Sequence, residues 1–254
     1  MNRLAKMISV REKLTSSKVS IGSWMQIPNA SIAEILGSAG YDWVAIDMEH
    51  GAITLNQLPD IFRALELGNT LPIVRLSEGS AKECKNVLDA GSAGVIAPMI
   101  ENADQLRMIA NACRWPPSGN RGVGFSRANL FGKNFKKYQS EAQEPLLVAM
   151  IENNLAIDNL DEILKVDGLD AILIGPYDLS ASLGILDDFK NPLFKSTVDK
   201  IFELCEKNNI PCGIHVVNPD INILNESIDN GYRFIAYSID AVFLNSICVN
   251  PMKD

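Results

Sequence analysis

The sequence predicts an α/β protein folded as a single-domain (β/α)8 TIM barrel. Eight short apolar runs, amphipathic segments between them, and a regular spacing support this fold class. Continuous aliphatic and β-branched runs are typical of strands buried on both faces. Eight such strands, each followed by a helix, are the strand count of a closed β/α barrel. A doubly wound open sheet is the alternative, but no G-x-G-x-x-G motif follows the first run.

The predicted elements alternate along the whole chain. The strands are expected at Ser20–Gln26, Trp43–Ile46, Pro72–Arg75, Gly94–Ala97, Leu146–Ile151, Ala171–Ile174, Pro211–His215 and Phe234–Tyr237. The helices carry apolar residues three and four positions apart and are expected at Leu55–Leu67, Ala81–Leu88, Ala103–Ala112, Leu155–Leu164, Leu193–Lys207 and Ile221–Asp229. Several of these segments end near a glycine suited to a helix C-terminus, at Gly40, Gly68, Gly91, Gly168 and Gly231.

Two connections are longer than the others. They are Trp115–Ser140, between the fourth and fifth strands, and Tyr177–Pro192, after the sixth. Long loops of a barrel often carry function, so both are expected to leave the ligand-binding end. No linker divides the chain, which predicts one domain over residues 1–254.

Composition and charge exclude several classes of partner. The chain has 254 residues, 47% of them hydrophobic and 21% charged, as in ordinary globular proteins. A net charge of -8 disfavours nucleic acid and anionic membranes as partners. The five scattered cysteines include no C-x-x-C, which disfavours a disulfide framework or a zinc–thiolate site. Because the sequence also shows no secretory signal or membrane span, a cytoplasmic protein is predicted.

Acidic side chains and an imidazole follow three of the predicted strands. Ile46 leads into Asp47-Met48-Glu49-His50, Ile151 into Glu152, and Ile174 into Gly175-Pro176-Tyr177-Asp178. The carboxyl ends of barrel strands meet at one rim, where ligands bind. Charge at such a position is costly unless it meets a partner, a metal or solvent. The sequence therefore predicts a metal-assisted enzyme.

Glu152 and Asp178 are the candidate metal ligands of this rim. They follow neighbouring strands, and two carboxylates leave room for water and a bidentate substrate around an octahedral Mg²⁺ or Mn²⁺. The alternative is a pair of solvated loop acids, or a helix cap in the case of Asp178. On spacing alone both interpretations stay open, and one residue can serve both roles.

The candidate proton carrier is His50, since imidazole takes up and returns a proton near neutral pH. Arg75 ends the third strand, where it pairs with a carboxylate of the protein or of a substrate. Asp89 is by default a surface acid. No lysine stands at a strand end, so chemistry through a lysine Schiff base is disfavoured.

Taken together, the chain resembles the HpcH/HpaI aldolase family, the metal-dependent class II pyruvate aldolases. The resemblance covers most of the sequence, and it rests on the order of its motifs. They are Ile21-Gly22-Ser23-Trp24, Gly40-Tyr41-Asp42-Trp43, Asp47-Met48-Glu49-His50, Val74-Arg75, Leu88-Asp89-Ala90-Gly91, Ala97-Pro98-Met99, Pro116-Pro117, Arg121-Gly122-Val123-Gly124, Met150-Ile151-Glu152 and Gly175-Pro176-Tyr177-Asp178-Leu179-Ser180.

The resemblance implies a (β/α)8 barrel that assembles as a homo-oligomer, a hexamer built as a trimer of dimers. Its last helix, over about residues 240–250, would be exchanged between subunits. It implies reversible cleavage of a 4-hydroxy-2-oxo acid into pyruvate and an aldehyde. The implied cofactor is a divalent cation, Mg²⁺, Mn²⁺ or Co²⁺.

The same resemblance implies a role for each rim residue. Glu152 and Asp178 would ligate the metal, with Asp47 and Glu49 behind them. His50, helped by Asp89, would relay the proton, and Arg75 would stabilise the enolate oxygen. The substrate carboxylate would be received by amides in the segment Gly175, Pro176, Tyr177 and Asp178.

Three further side chains are predicted to select the aldehyde. Trp24, Tyr177 and His215 all fall at strand ends on the rim. Many relatives carry a small residue in place of Tyr177 and an aliphatic one in place of His215, which predicts a narrower and more polar pocket for a hydroxylated aldehyde. Alternatively, His215 only forms hydrogen bonds within the barrel.

Two other functions are compatible with the same fold. Citrate-lyase-like enzymes that act on acyl-CoA share the barrel and the metal carboxylates, but the chain shows no basic surface for CoA and carries the D-x-E-H motif. A non-catalytic barrel that binds a 2-oxo acid is the second alternative. It would bind ligand without turnover.

Overall fold

The computed structural model describes residues 1–252 and forms a closed barrel of eight parallel strands. Each strand pairs with its neighbours in sequence, and β8 closes the barrel on β1. The predicted fold class is therefore confirmed. The strands are β1 Ser20–Met25, β2 Trp43–Asp47, β3 Leu71–Arg75, β4 Gly94–Ala97, β5 Leu146–Ile151, β6 Ala171–Ile174, β7 Cys212–Val216 and β8 Phe234–Ile239.

Helices surround the barrel and close one of its ends. They are α1 Arg3–Thr15, α2 Ala30–Ser38, α3 Leu58–Leu67, α4 Ala81–Ala90, α5 Ala103–Cys113, α6 Phe135–Gln143, α7 Asn154–Asp158, α8 Leu160–Ile163, α9 Pro176–Ser182, α10 Pro192–Asn208, α11 Ile221–Asp229 and α12 Asp240–Ile247. Among residues 1–252, no helix combines the length and the apolar character that crossing a membrane requires.

The interior of the barrel is filled by large side chains from alternate strand positions. Trp43 stacks on Phe234 with ring centroids 4.2 Å apart, and both are buried. Gly22 makes this possible, since a Cβ at that position would collide with the indole of Trp43. A second apolar layer lies between the strands and the outer helices. This packing fixes the barrel that carries the rim residues.

Helix α1 closes the amino-terminal end of the barrel. Its buried residues Met7, Val10 and Leu14 are spaced three and four apart and pack into the same cluster as the barrel interior. The sequence interpretation did not include this helix, although the spacing is that of an amphipathic helix. The charged residues between its apolar positions made the helical pattern hard to recognise in the sequence.

The position predicted for the segment Trp115–Ser140 is wrong. It begins just after α5 and leads through a 3₁₀ turn at Arg127–Asn129 and α6 into β5. A helix that returns to a parallel strand ends beside the amino end of that strand, so this segment lies opposite the predicted ligand rim. Arg127 there donates a hydrogen bond to the Ala90 carbonyl at the end of α4. The connection Tyr177–Pro192, which follows a strand, does lie on the carboxyl side and contains α9.

Candidate active site

A cavity of about 330 Å³ opens at the carboxyl end of the strands. Most of the residues predicted for the site lie in its wall. The lining residues are Trp24, Gln26, His50, Arg75, Met150, Ile174, Gly175, Pro176, Tyr177, Asp178, His215, Val217 and Ile239.

The buried base of the cavity is an ion pair between Asp47 and Arg75, the last residues of β2 and β3. The two residues are partners in the β2–β3 register. Arg75 donates from Nε to Asp47 Oδ1 over 3.0 Å and from Nη2 to Oδ2 over 2.7 Å. Burial alone would raise the pKa of Asp47, but the hydrogen bonds and charge of Arg75 outweigh it and hold the pKa at about 2. Asp47 is therefore ionised in the folded protein, and it fixes the guanidinium.

Asp47 also shapes the turn that carries the other two predicted residues of its motif. Its Oδ1 accepts hydrogen bonds from the backbone N–H groups of Glu49 and His50, each 3.1 Å long. Glu49 Oε2 lies 2.8 Å from Arg75 Nη1, yet no donor is aligned with this buried oxygen. Burial raises the pKa of Glu49, and the charge of Arg75 opposes that rise. The turn leaves His50 exposed in the cavity wall.

Glu152 follows β5 and is almost fully buried, at 2% exposure. Its Oε1 accepts a 2.6 Å hydrogen bond from the N–H of Met99, a residue held at a φ of 48°. A non-glycine residue at positive φ is uncommon and often marks a functional site. Burial raises the pKa of Glu152 to about 7, and the negative charges of Glu49 and Asp178 act in the same direction.

The acidic side chains of this rim fit a divalent cation. Glu49 and Asp178 lie near enough to Glu152 for their charges to add to the effect of burial on its pKa, while Arg75 opposes them, so three acidic side chains are grouped here. Glu49 Oε2 is paired by charge with Arg75 but accepts no aligned hydrogen bond, so it keeps an acceptor position open. Within residues 1–252 no three His, Cys, Asp or Glu side chains are placed to hold one ion. Glu152 and exposed Asp178 are the two carboxylates that could hold a cation, with water and substrate as further ligands.

Trp24 and His215 lie deeper in the barrel than the sequence suggested. Their rings stack with centroids 4.8 Å apart, and Arg75 Cζ lies 5.2 Å from the centre of the Trp24 ring. His215 Nε2 lies 3.1 Å from the carbonyl of Ser238, so that nitrogen must carry the hydrogen. Burial lowers the pKa of His215 to about 4, which keeps the ring neutral. Trp24, 1% exposed, mainly supports Arg75 and His215.

Tyr177 stands between the site and a larger, mostly apolar cavity. This second cavity has a volume of about 540 Å³ and shares Ile174, Pro176, Tyr177, His215 and Val217 with the first. It runs beside β7, between α10 and α11. The ring of Tyr177 is half exposed and meets Phe189 edge-on, with centroids 5.2 Å apart. Tyr177 is therefore one of five residues that both cavities share, and it carries the largest exposed side chain among them.

Asp89 is the predicted site residue that the structure does not bring to the rim. It lies in the last turn of α4, just before the amino end of β4, whereas His50 follows the carboxyl end of β2. Burial raises the pKa of Asp89, and the charges of Arg121 and Lys85 oppose that rise. Within one chain, Asp89 and His50 are at opposite ends of the barrel.

Three contributors to the site were missed in the sequence. Gln26 lines the cavity and donates from Nε2 to Asp47 Oδ2 over 2.8 Å. Its position just after a strand, on the same rim as the acids, was a usable signal. Met99 was recognised only as part of a motif, since a backbone donor leaves no trace in side-chain chemistry. Asp240, which holds the chain at Gln26, follows β8 in the same way as the recognised acids follow their strands.

The chain is similar to aldolases over almost its entire length. The sequence profile of the HpcH/HpaI aldolase/citrate lyase family matches residues 20–246. A hydroxypyruvate/pyruvate aldolase of Roseobacter denitrificans is 36% identical over 245 residues, 95% of each chain. A 2-keto-3-deoxy-L-rhamnonate aldolase of Escherichia coli O157:H7 is 36% identical over 235 residues, which cover 91% of this chain and 87% of that one.

Solved structures show the same likeness. An HpcH/HpaI aldolase/citrate lyase family protein from Burkholderia cenocepacia superimposes with a TM-score of 0.87 at 29% identity, over 94% of this chain and 95% of that one. The citrate lyase β subunit of Mycobacterium tuberculosis, complexed with oxaloacetate and magnesium, has a TM-score of 0.59 at 15% identity, over 91% and 95% of the two chains. The second similarity extends to the fold alone.

Proposed function

The chain belongs to the HpcH/HpaI aldolase/citrate lyase family, and we propose that it is a divalent-metal-dependent aldolase. It cleaves a 4-hydroxy-2-oxo acid reversibly into pyruvate and an aldehyde. The observation that carries this proposal is that Asp178, Arg75 and His50 line one cavity, with the buried carboxylate of Glu152 close enough to Asp178 for its charge to raise the pKa of Glu152. Relatives with 36% identity are named as aldolases, which supports the reaction class.

Glu152 and Asp178 would hold the cation, and Glu49 would lie behind them. A divalent cation bound here would supply an electron sink for the 2-oxo group of the substrate. Family membership and the group of acidic side chains around Glu152 support a divalent metal; Mg²⁺, Mn²⁺ and Co²⁺ are the candidates.

His50 would accept the proton of the C4 hydroxyl of the substrate. The electron pair of the C3–C4 bond then moves to the 2-oxo oxygen as the aldehyde leaves, and return of the proton to C3 completes pyruvate. His50 is exposed in the cavity wall, and Asp47 fixes its backbone, so the imidazole is positioned but free to exchange protons. This matches the role of a general base.

Arg75 would stabilise the enolate oxygen that develops during cleavage. Its guanidinium is fixed by two hydrogen bonds to Asp47 and by the ring of Trp24, so it does not need to reorganise as the charge forms. The N–H groups of Tyr177 and Asp178, in the first turn of α9, lack intrahelical acceptors and are available to the substrate carboxylate.

Asp89 can assist His50 only from a neighbouring subunit, because the two lie at opposite ends of one barrel. We therefore include a homo-oligomer, with the segment 240–250 exchanged, in the proposal. Leu244, Ile247 and Val249 are exposed apolar residues of this segment, which supports contact with another copy. The hexameric state and a cytoplasmic location are part of the same proposal.

The choice of aldehyde depends on Tyr177 and His215. His215 donates a hydrogen bond from Nε2 to the Ser238 carbonyl. Because the ring is neutral, its Nδ1 remains a hydrogen-bond acceptor. An acceptor in the cavity wall, together with the phenol of Tyr177, favours a hydroxylated aldehyde. Comparison of kcat/KM for a polyhydroxylated and an alkyl 4-hydroxy-2-oxo acid tests this, and an alkyl preference would refute it.

The reaction is tested by pyruvate release from a panel of 4-hydroxy-2-oxo acids. Activity should disappear with EDTA and return with Mg²⁺, Mn²⁺ or Co²⁺, and borohydride with pyruvate should trap no adduct. A CoA thioester assayed in parallel separates this reaction from an acyl-CoA lyase. Ligand binding without release from any substrate would favour a non-catalytic barrel.

A further inference from the structure

Asp240, the first residue of α12, is tied by hydrogen bonds to the turn that follows β1. Its carboxylate accepts the N–H of Gln26 on Oδ1 and the N–H of Ile27 on Oδ2, each over 2.9 Å. It also accepts the N–H of Ala241 over 2.8 Å. Asp240 is 3% exposed, so these three donors replace its lost solvation. The position of the start of the last helix and that of the end of β1 are therefore fixed relative to each other.

Gln26 continues the connection into the active site. Its backbone is held by Asp240, and its side-chain Nε2 donates to Asp47 Oδ2 over 2.8 Å. Asp47 is fully buried and also receives Nη2 of Arg75 on that oxygen. Gln26 is thus the only side chain besides Arg75 that binds the Asp47 carboxylate in residues 1–252.

We propose that Asp240 and Gln26 are positioning residues that set the orientation of Arg75 through Asp47. This Asp240–Gln26 link connects the start of the C-terminal helix to the cationic side of the active site. It rests on the proposed function in that Arg75 must stabilise developing charge. A buried carboxylate with a fixed amide donor has one orientation, and so does the guanidinium paired with it.

The first test replaces Gln26 by leucine, which has a similar size and no amide donor. The Gln26→Leu variant keeps the backbone N–H that Asp240 binds, so folding should be preserved. Because Arg75 acts on charge that forms only during cleavage, kcat should fall about ten-fold with KM changed less than two-fold. Mn²⁺ affinity by calorimetry should stay unchanged, since Glu152 and Asp178 are not touched.

The matched control is Gln143→Leu. Gln143 donates the same kind of amide hydrogen bond to the Pro116 carbonyl, over 3.2 Å, at the opposite end of the barrel. It should leave kcat at the wild-type value. If Gln26→Leu matches this control in kcat, the proposal is overturned.

The second test places Asp240 in the same pathway. Asp240→Asn replaces one acceptor oxygen by a donor. If the two residues act in series, the double variant Gln26→Leu/Asp240→Asn should have the kcat of the more impaired single variant. If the double variant instead loses kcat by the product of the two single-variant losses, the link is overturned. If Asp240→Asn does not fold, Gln26→Leu carries the test alone.

Failure of the proposed function is distinguishable from failure of the link. If the wild-type protein releases pyruvate from no substrate, the aldolase proposal fails, and a crystal structure of Gln26→Leu then tests the link. A guanidinium of Arg75 displaced from Asp47 supports it. A guanidinium in its original place, with both hydrogen bonds to Asp47 intact, overturns it.

Discussion

Gly175 leaves open the space into which the carboxylate of Glu152 extends. A Cβ at position 175 would lie 2.6 Å from Glu152 Oε2 and 2.9 Å from its Cβ. The backbone of Gly175 has a φ of -92°, which any residue can adopt. Because β5 and β6 are neighbours in the barrel, the missing side chain at position 175 allows the carboxylate of Glu152 to pack against the backbone there.

We expect Gly175→Ala to weaken metal binding. The added methyl group must push the carboxylate of Glu152 away from Asp178, and displaced ligands or their supports cost about ten-fold or more in metal affinity. Calorimetric titration with Mn²⁺ measures this loss. Gly122→Ala is the control, because a Cβ there meets nothing within 4 Å. Equal Mn²⁺ affinity in the two variants would contradict the assignment of Glu152.

Glu152→Ala and His50→Ala should separate metal binding from proton transfer. Glu152→Ala removes a buried ligand and should lose measurable Mn²⁺ affinity. His50→Ala should retain that affinity while turnover falls by about 10²–10⁴-fold, the usual contribution of a general base. Calorimetry and a pyruvate-release assay on the same preparations give both quantities. Unchanged metal binding in Glu152→Ala would exclude it as a ligand.

Tyr177→Ala should change which aldehydes are accepted. Tyr177 lines both the cavity of about 330 Å³ and the apolar one of about 540 Å³ beside it, so removal of the ring should join them. We expect kcat/KM to rise about ten-fold for a substrate with a long alkyl group, because each buried methylene contributes roughly 0.8 kcal/mol. The value for the shortest substrate should not rise. Leu186→Ala, at an exposed position of the same connection, is the control.

His215 should make the protein less stable in mild acid. Its folded-state pKa of about 4 lies below the ordinary value of 6.5, so the unfolded chain binds a proton first as the pH falls. The stabilisation is complete above about pH 6.5 and declines towards pH 4, by about 2 kcal/mol at pH 5. The raised pKa of Glu152 acts in the opposite direction over this range, so the contribution of His215 is measured as the difference between wild type and His215→Gln in urea unfolding at pH 7.5 and pH 5.0, at fixed protein concentration. His215→Gln keeps a donor for Ser238 but should show a smaller decline.

Asp89 and His50 should complement each other across subunits. Asp89→Asn and His50→Ala should each lower turnover when present alone. Because the two residues lie at opposite ends of one barrel, Asp89 can assist only the His50 of another subunit. Co-expressed subunits bearing one change each should recover part of the activity, because some interfaces then combine an intact Asp89 with an intact His50. No recovery, with mixed oligomers verified by mass spectrometry, would argue against Asp89 as a helper.

The sequence predicted the barrel and most of the rim because both depend on local patterns. Strand ends carrying Asp47, Glu152 and Asp178 can be read directly, since buried apolar runs stop where the acids begin. Contacts that depend on three-dimensional packing could not be read. The N–H that Met99 gives to Glu152 and the stacking of Trp24 under Arg75 arise only when distant strands meet.

The error over Trp115–Ser140 has a similar origin. Its length and glycine content are those of a functional loop, but the end of the barrel on which a loop lies depends on whether a strand or a helix precedes it. Here α5 precedes it. Asp89 also stood near the end of a predicted helix, so its distance from His50 could have been inferred from the same rule.

Helix α1 and the packed side chains of the interior close the amino end of the barrel, so a substrate reaches Arg75 from the carboxyl end. The substrate that binds deepest in the site must therefore bind first and dissociate last. On the proposed function, pyruvate would bind beside Arg75 in the synthetic direction, and the aldehyde would bind nearer the solvent, beside Tyr177. Steady-state kinetics should therefore be ordered, and surplus aldehyde should inhibit by blocking the entrance before pyruvate has passed.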